Sequence, residues 1–372
     1  MDFTLDSETI ALRDAVRGVL GRTYGSSEDR RAVTNDEPGF SEDTWGKLAE
    51  LGALGLPFSE DDGGAGAGPI EVSVVAEEMG RVLAPEPFVE SVVLAGGLVA
   101  AAGDDAQRAD VLGRLSAGEI VLAAAIVDSS AGGEVTASGS GDSWTLTGVK
   151  EPVLHGARAD LLVVTARTDE GLGIFLVEAD ASGLERTGYR THDGGRAAKV
   201  AFDGTPAVRL GSGDQSDVLE DTIARARIAY SHEAIGAMDT AMKTTVEYLK
   251  TRKQFGVTLN TFQALKFRAA DLYVSMELVR STVLWSTLVL ADAPERAREA
   301  AARAKLQVSR AGRHIGQEAI QLHGGIGMTA EYSVGHYMSR LTAIEHWLGD
   351  GSDQLRTLAA TVGDHGVLDP IG

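Results

Sequence analysis

Apolar residues recur at helical spacing through the first part of the chain, residues 5–115. The clearest stripes span residues 10–20 and 45–54, and residues 71–83 continue the pattern. A Gly-rich stretch at 59–68 interrupts it and is typical of a loop. No strand pattern precedes this stretch and no Gly-Lys-Ser/Thr follows, so it is not predicted to cradle phosphate. The spacing predicts an N-terminal helical domain over residues 1–117.

The pattern then changes to alternation with a period of two. Residues 144–148, 161–165, 173–177 and 199–202 alternate or carry β-branched runs, and clusters of Gly and Asp separate them. Such short runs between turn residues are typical of an antiparallel sheet or a small barrel. We therefore expect an antiparallel β-barrel-like middle domain over residues 118–212.

Long helical stripes return between residues 217 and 362. One of them carries Ile235, Met238, Met242, Thr245 and Leu249, and further stripes follow at residues 265–283 and 304–322. Helices of this length normally pack antiparallel with their apolar stripes inward, so we interpret the Met and Leu positions as core. The pattern predicts a C-terminal four-helix bundle over residues 213–372. The fold class is α+β and multidomain, with no internal repeat.

Composition narrows the functional classes. The 372 residues hold 44% hydrophobic and 24% charged residues, which is ordinary for a globular protein. The net charge of −20 argues against a nucleic-acid partner. Without cysteine there is neither a disulfide nor a thiolate metal site, and no metal site is predicted. No basic, apolar leader opens the chain, and the apolar run at residues 92–102 is too short to cross a bilayer. We expect a cytoplasmic protein with no membrane partner.

Five local motifs occur in order along the chain, at residues 51–64, 125–134, 144–160, 252–263 and 321–329. The fourth reads Arg252-Lys-Gln-Phe-Gly256 followed by Phe262-Gln263, and the fifth reads Gln321-Leu-His-Gly-Gly-Ile-Gly-Met-Thr329. With the α, β, α order, they resemble the acyl-CoA dehydrogenase superfamily. The stretches around Arg252 and Gln321 are most similar to the small subunits of its heteromeric members, such as pimeloyl-CoA dehydrogenase and the actinobacterial steroid side-chain dehydrogenases.

The resemblance implies an activity and its partners. Members of the family use FAD to desaturate the α,β-carbons of an acyl-CoA thioester, and an electron-transfer flavoprotein or a similar acceptor takes the electrons. A carboxylate removes the α-proton while hydride passes to the flavin. The family also implies a homo- or heterotetramer. Because CoA is polyanionic, local basic residues would have to bind it against the acidic charge of this chain.

The same resemblance implies the cofactor residues. In the family the arginine matching Arg252 reaches the FAD of a neighbouring subunit, and its planar fork suits a pyrophosphate. Phe255 would give flat apolar contact, and the glycines would let backbone approach the cofactor. Four alternatives remain open. Arg252 forms a surface ion pair, Phe255 belongs to the core, the Gly-Gly pair ends a helix, and His323 is a packing residue. The full implied set is Arg252, Gln254, Phe255, Gln263, Gln321, Leu322, His323, Gly324, Gly325, Val127, Leu154 and His155.

The catalytic carboxylate of the family has no direct counterpart in this sequence. Its usual glutamate, placed before Gly-Thr, aligns with Gly349, and the alternative position on the first bundle helix aligns with Ala226. Asp350 is the nearest carboxylate. Asp350 is either the base or a cap of the final helix, which is predicted over residues 353–362. Ser352 is the other candidate for the cap, and the roles of base and cap are not exclusive.

Three functional hypotheses follow from this departure. In the first, the chain is an acyl-CoA dehydrogenase subunit whose site is completed by a partner chain. Alternatively, it is a flavin oxidase on the same fold that uses an aspartate base, similar to nitroalkane oxidase. In the third hypothesis it is a non-catalytic or half-site partner that supports an active dehydrogenase chain.

Overall fold

A computed structural model describes residues 5–141 and 143–364 of the chain, and it begins with a helical domain. Polar caps start these helices: the Asp6 carboxylate accepts the Thr9 N–H at 2.8 Å, and Ser41 caps the third helix. Single turns of 3₁₀-helix occupy Ala53–Gly55 and Glu60–Asp62. The helices are α1 (Ser7–Thr23), α2 (Ser27–Asn35), α3 (Glu42–Glu50), α4 (Pro69–Val82), a π-helical segment (Phe88–Gly96), α5 (Gly97–Ala102) and α6 (Asp105–Ser116).

Seven strands form the middle domain, and five of them close into a ring. The ring order is β4, β5, β7, β3 and β2, with β2 returning to β4. Most pairs are antiparallel, but β1 and β2 both run parallel to β4, so the sheet is not antiparallel throughout. The strands are β1 (Leu122–Ala125), β2 (Thr136–Ser140), β3 (Ser143–Leu154), β4 (Leu161–Thr168), β5 (Gly171–Glu178), β6 (Leu184–Arg190) and β7 (Arg196–Leu210).

The barrel has its own apolar core, separate from the core of the helical domains. Leu146, Val164 and Phe175 are fully buried inside it. The predicted barrel-like middle domain is therefore confirmed. Ala198, Val200 and Phe202, which alternate along β7, belong to this core, as the period-two pattern predicts.

Long helices form the C-terminal bundle, as predicted. The predicted stripes on α7 and α8 are buried or half-buried, and Met238, Met276 and Val283 are fully buried. A two-stranded hairpin (Lys253–Gln254 and Val257–Thr258) separates the first two helices. The helices are α7 (Ser216–Thr251), α8 (Gln263–Asp292), α9 (Ala297–His323), α10 (Val334–His346) and α11 (Gly351–Ala360).

Two glycines bring the N-terminal domain close against the bundle. A Cβ on Gly80 of α4 would lie 1.9 Å from the Glu233 carbonyl oxygen, and one on Gly236 of α7 would lie 2.0 Å from that of Glu77. The α4 and α7 backbones therefore cross at a distance that only glycine permits.

Candidate active site

Val127 and Leu154, two of the predicted cofactor residues, lie together at a cavity between the barrel and the bundle. Glu90 from the π-helical segment, Tyr230 from α7 and the segment Trp347–Leu348 line the same space. The cavity is small, about 40 Å³. That volume holds water molecules only, whereas pockets for drug-sized ligands measure roughly 300–1,000 Å³.

His155, another predicted cofactor residue, does not line this cavity. Its ring is buried and packs edge-on against Phe40, with ring centres 5.8 Å apart. Burial, with Arg340 nearby, lowers the pKa of His155 to about 4, so the ring is neutral at physiological pH. Its backbone has a φ of +54°, and its N–H donates to the Arg196 carbonyl oxygen at 3.0 Å. The His155 ring thus packs at the edge of the barrel, and a contact with the cofactor stays a prediction.

A buried charge network borders the cavity. Arg340 of α10 donates to both carboxylate oxygens of Glu233, at 2.6 and 3.1 Å, and to Asp193 at 2.8 Å. Its guanidinium also lies 3.7 Å from Glu90, which accepts the Tyr230 hydroxyl at 2.8 Å. Arg340 holds the pKa of Asp193 down to about 2, against the opposing effect of burial.

This network was not anticipated from the sequence, although α10 carries a signal for it. Tyr337, Leu341 and Ile344 form the buried stripe of the helix, and Arg340 lies on the same face. A charge on a core-facing stripe requires a buried counter-charge. The partners of Arg340 come from the π-helical segment, the β6–β7 connection and α7, so the ion pairs join all three domains around the cavity.

The candidate base, Asp350, caps α11. One of its carboxylate oxygens accepts the N–H groups of Ser352 and Asp353 at 2.8 and 2.9 Å, and Asp353 accepts the Asp350 N–H in return. These backbone donors, Asp353 first, hold the pKa of Asp350 below its usual range. A general base at neutral pH needs the opposite shift. The capping interpretation describes this geometry, and a role as base stays a prediction.

Neither of the two positions that hold the catalytic glutamate in the family supplies a carboxylate here. Gly349 has a φ of +91°, and a Cβ on it would lie 2.8 Å from the Gln354 amide nitrogen. Ala226 is fully buried in α7. Arg227 holds the loop between α10 and α11 by donating to the Leu348 carbonyl oxygen at 2.8 Å.

The other predicted cofactor residues lie at one end of the bundle. Arg252 follows α7, and the adjacent hairpin turns at Phe255 and Gly256, both with positive φ. Phe255 is 92% exposed, although it contacts Phe262 edge-on with ring centres 6.2 Å apart. A phenylalanine held exposed in a left-handed backbone conformation is a strained arrangement of the kind found at functional sites. Gln254 and Gln263 are exposed beside this hairpin.

The end of α9 adds the second half of this surface. Gln321, Gly324 and Gly325 face solvent, and the space around the two glycines is open. Leu322 and His323 instead point inward, and the His323 ring stacks against Tyr248 with centres 4.4 Å apart. The two inward residues therefore help to pack α9 against α7, and a contact with the cofactor stays a prediction. The outward residues, with Arg252 and Phe255, form the surface that is predicted to contact flavin, which we call the flavin-contact surface.

Helix α8 presents apolar side chains to the exterior beside this surface. Phe267, Tyr273, Val274 and Leu278 are each more than half exposed. By length and composition alone, this helix meets the criteria for crossing a membrane, the only helix in the described residues to do so. Its opposite face packs on the bundle through buried residues such as Leu272 and Met276.

Comparison with known proteins gives this geometry a family. Residues 6–119 match the acyl-CoA dehydrogenase N-terminal domain, and residues 216–363 match the C-terminal domain. Acyl-CoA dehydrogenase FadE27 of Mycobacterium tuberculosis is 30% identical over 369 residues, covering 96% of this chain and 98% of that protein. The chain belongs to the acyl-CoA dehydrogenase family. It is thereby assigned to the FAD-dependent oxidoreductases that act on acyl-CoA.

Solved structures of heteromeric members show the same fold. The chain is similar to a chain of the ChsE4–ChsE5 complex of Mycobacterium tuberculosis, with a TM-score of 0.91, 28% identity and coverage of 99% and 100% of the two chains. It is also similar to a chain of the Tcur3481–Tcur3483 steroid acyl-CoA dehydrogenase, with a TM-score of 0.88, 33% identity and coverage of 97% and 99%.

The residues fit FAD in part. The flavin-contact surface offers an exposed guanidinium, an exposed aromatic ring and open glycine backbone, which suit a diphosphate and flat rings. The Val127–Leu154 cavity, at about 40 Å³, has no room for a flavin ring and a thioester together while Trp347 and Leu348 line it. In the acyl-CoA dehydrogenase chain the small cavity and the flavin-contact surface are therefore separate features.

Proposed function

We propose that the chain is one subunit of a heteromeric FAD-dependent acyl-CoA dehydrogenase, in which a second, homologous chain supplies the catalytic carboxylate. The observation that carries the proposal is the state of the base positions: Gly349 and Ala226 hold no carboxylate, and Asp350 is engaged as a helix cap. FAD, when bound, accepts the hydride that leaves the β-carbon of the thioester. The electrons then pass to an electron-transfer flavoprotein or a similar acceptor.

The distance between the two sets of predicted residues supports a shared site. Tyr230 lines the cavity, and Arg252 follows the end of the same helix, about 33 Å further along at 1.5 Å per residue. The flavin-contact surface thus lies far from the chain's own cavity. We infer that it contacts the FAD of a neighbouring subunit and that the exposed face of α8 packs in the tetramer.

Purification of the chain with a homologous dehydrogenase chain encoded beside its gene tests the proposal. Heat release and chromatography should identify FAD, at about one FAD for each pair of chains, because only one chain of the pair encloses the ring. Release of FMN, or of one FAD from every chain including this one, would contradict the proposal.

Arg252→Ala should weaken FAD retention by about tenfold or more, because it removes a charge-assisted contact to phosphate. The Tm should stay unchanged, since Arg252 is exposed. Lys253→Ala, one residue along the same exposed hairpin, is the matched control for loss of positive charge. FAD titration by fluorescence quenching measures both variants. Equal affinity in Arg252→Ala and Lys253→Ala would show that Arg252 has no specific role.

Asp350→Asn should reduce flavin at the wild-type rate in the assembled enzyme, because its carboxylate serves as a cap. Asp350→Ala should lower the Tm by about 1–3 °C through loss of the cap. Rapid mixing with acyl-CoA and differential scanning calorimetry give the two quantities. A slowing of Asp350→Asn by about 10²-fold or more would instead make Asp350 the base, as in the aspartate-based oxidase hypothesis.

A further inference from the structure

A second and larger cavity lies on the opposite side of the π-helical segment. Its volume is about 390 Å³, within the range of small-molecule pockets. Phe58 and Ser73 contribute from the N-terminal domain, Val93 from the π-helical segment, and Thr222 and Ala229 from α7. The cavity thus sits at a domain interface, a common location for ligand sites.

The two cavities are separated by the π-helical segment. Val92 and Val93 line the larger cavity, whereas Glu90 and Leu94 line the small one between the barrel and the bundle. On α7, Ala229 faces the larger cavity and the next residue, Tyr230, faces the small one. A ligand in the larger cavity would therefore not touch the candidate active site.

The inner wall of this cavity offers apolar contact only. The Ser73 hydroxyl donates to the Ile70 carbonyl oxygen at 2.7 Å, and the Thr222 hydroxyl donates to that of Val218 at 2.8 Å. Both hydroxyl protons are thus used within their own helices. A polar head group buried there would lose its hydrogen bonds to water without replacement. The wall favours an aliphatic body.

The mouth of the cavity carries one free positive charge. Arg225 is exposed at the mouth, and within residues 5–141 and 143–364 it makes no ion pair. Asp221, the carboxylate beside it, already accepts Arg298 at 2.6 Å. Since the nearby negative charge is paired, the mouth presents a guanidinium whose donors are available to an anion.

We propose that this cavity binds an aliphatic carboxylate, with the hydrocarbon chain against the apolar wall and the carboxylate at Arg225. The volume admits a medium-length chain, and a planar carboxylate matches the guanidinium fork. The site would hold a free fatty acid or a similar amphiphilic acid independently of the dehydrogenation reaction, and it does not rest on the proposed heteromeric assembly.

Calorimetric titration with three twelve-carbon probes, below their micelle concentrations, tests the charge requirement. Dodecanoate should bind the assembled enzyme more tightly than dodecanol, and dodecyltrimethylammonium should bind weakest. Arg225→Gln should weaken dodecanoate by about three- to tenfold, a modest effect because the contact is exposed, and leave dodecanol unchanged. Arg310→Gln, at an exposed arginine of α9, is the matched control.

Ala100→Phe tests the location, because Ala100 is a half-buried lining residue whose added ring would occupy the cavity. The variant should abolish dodecanoate binding while FAD binding and the Tm stay near the wild-type values. If it binds dodecanoate normally, or if Arg225→Gln and Arg310→Gln bind it equally, the proposal is overturned. If Ala100→Phe also shifts the Tm, Ser73→Leu serves as a second variant because it fills the same cavity from α4. It should likewise abolish dodecanoate binding.

Discussion

Arg340→Met should lower the free energy of unfolding by about 3–5 kcal/mol, because it leaves Glu233 and Asp193 buried without their shared counter-charge. Burial raises the pKa of Glu233 and thereby opposes its ionisation, and Arg340 is what favours the charged form. Urea denaturation measures the loss. If the variant does not accumulate, Arg340→Lys retains the charge without the planar fork and should show a smaller loss of the same sign.

Arg313→Met supplies the matched control for this prediction. Arg313 of α9 forms an ion pair with Glu345 of α10 at 2.8 Å, but the Arg313 side chain is 61% exposed. Exposed pairs contribute about 0–1 kcal/mol, so this variant should stay close to wild type. Equal losses in the two variants would show that the buried network has no special contribution to stability.

Removal of the second chain's carboxylate should slow flavin reduction by about 10²–10⁴-fold, the usual cost of a lost general base. The residue to replace by glutamine is the glutamate that aligns with Gly349 or with Ala226 of this chain. The reason is local: this chain has a left-handed glycine at one position and a buried alanine at the other. Rapid mixing under anaerobic conditions measures the rate, with Asp350→Asn as the matched carboxylate-to-amide control. Slowing in Asp350→Asn alone would reverse the assignment.

The order of the three structural regions was predictable because each has its own hydrophobic period. The stripe from Ile235 to Leu249 lies inside α7, and the alternation from Trp144 lies inside β3. Strands β1, β2 and β6 were not anticipated. Strand β1 is mostly alanine, and β2 and β6 are largely exposed and polar, so their pairing with β4, β3 and β7 determines their conformation rather than their own propensity.

The flavin-contact surface was the part of the site best suited to recognition from sequence. Arg252 to Gly256 is a short local turn, and its contact residues are close together in the chain. Leu322 and His323 belong to the same motif, but the motif cannot distinguish the outward from the inward face of α9. Helical geometry supplies that distinction, since it turns Gln321 to solvent and the two following residues toward α7.

The charge network and the shape of the small cavity could not be derived in the same way. Arg340 meets Glu233 and Asp193 only after the barrel, the π-helical segment and the bundle have packed together. Closure of the cavity by Trp347 and Leu348 depends on the backbone of a loop with positive φ at Leu348 and Gly349. Such long-range and loop-dependent features have no local pattern.

Anaerobic rapid mixing of acyl-CoA with the protein in the presence of FAD tests the central claim most directly. The chain alone and the chain assembled with its homologous second chain are compared, with short-chain and steroid side-chain thioesters as substrates. The account predicts that flavin absorbance bleaches only in the assembled enzyme, because only the second chain brings a carboxylate to the substrate. Rapid bleaching by the chain alone would contradict it and would show that this chain carries a complete active site.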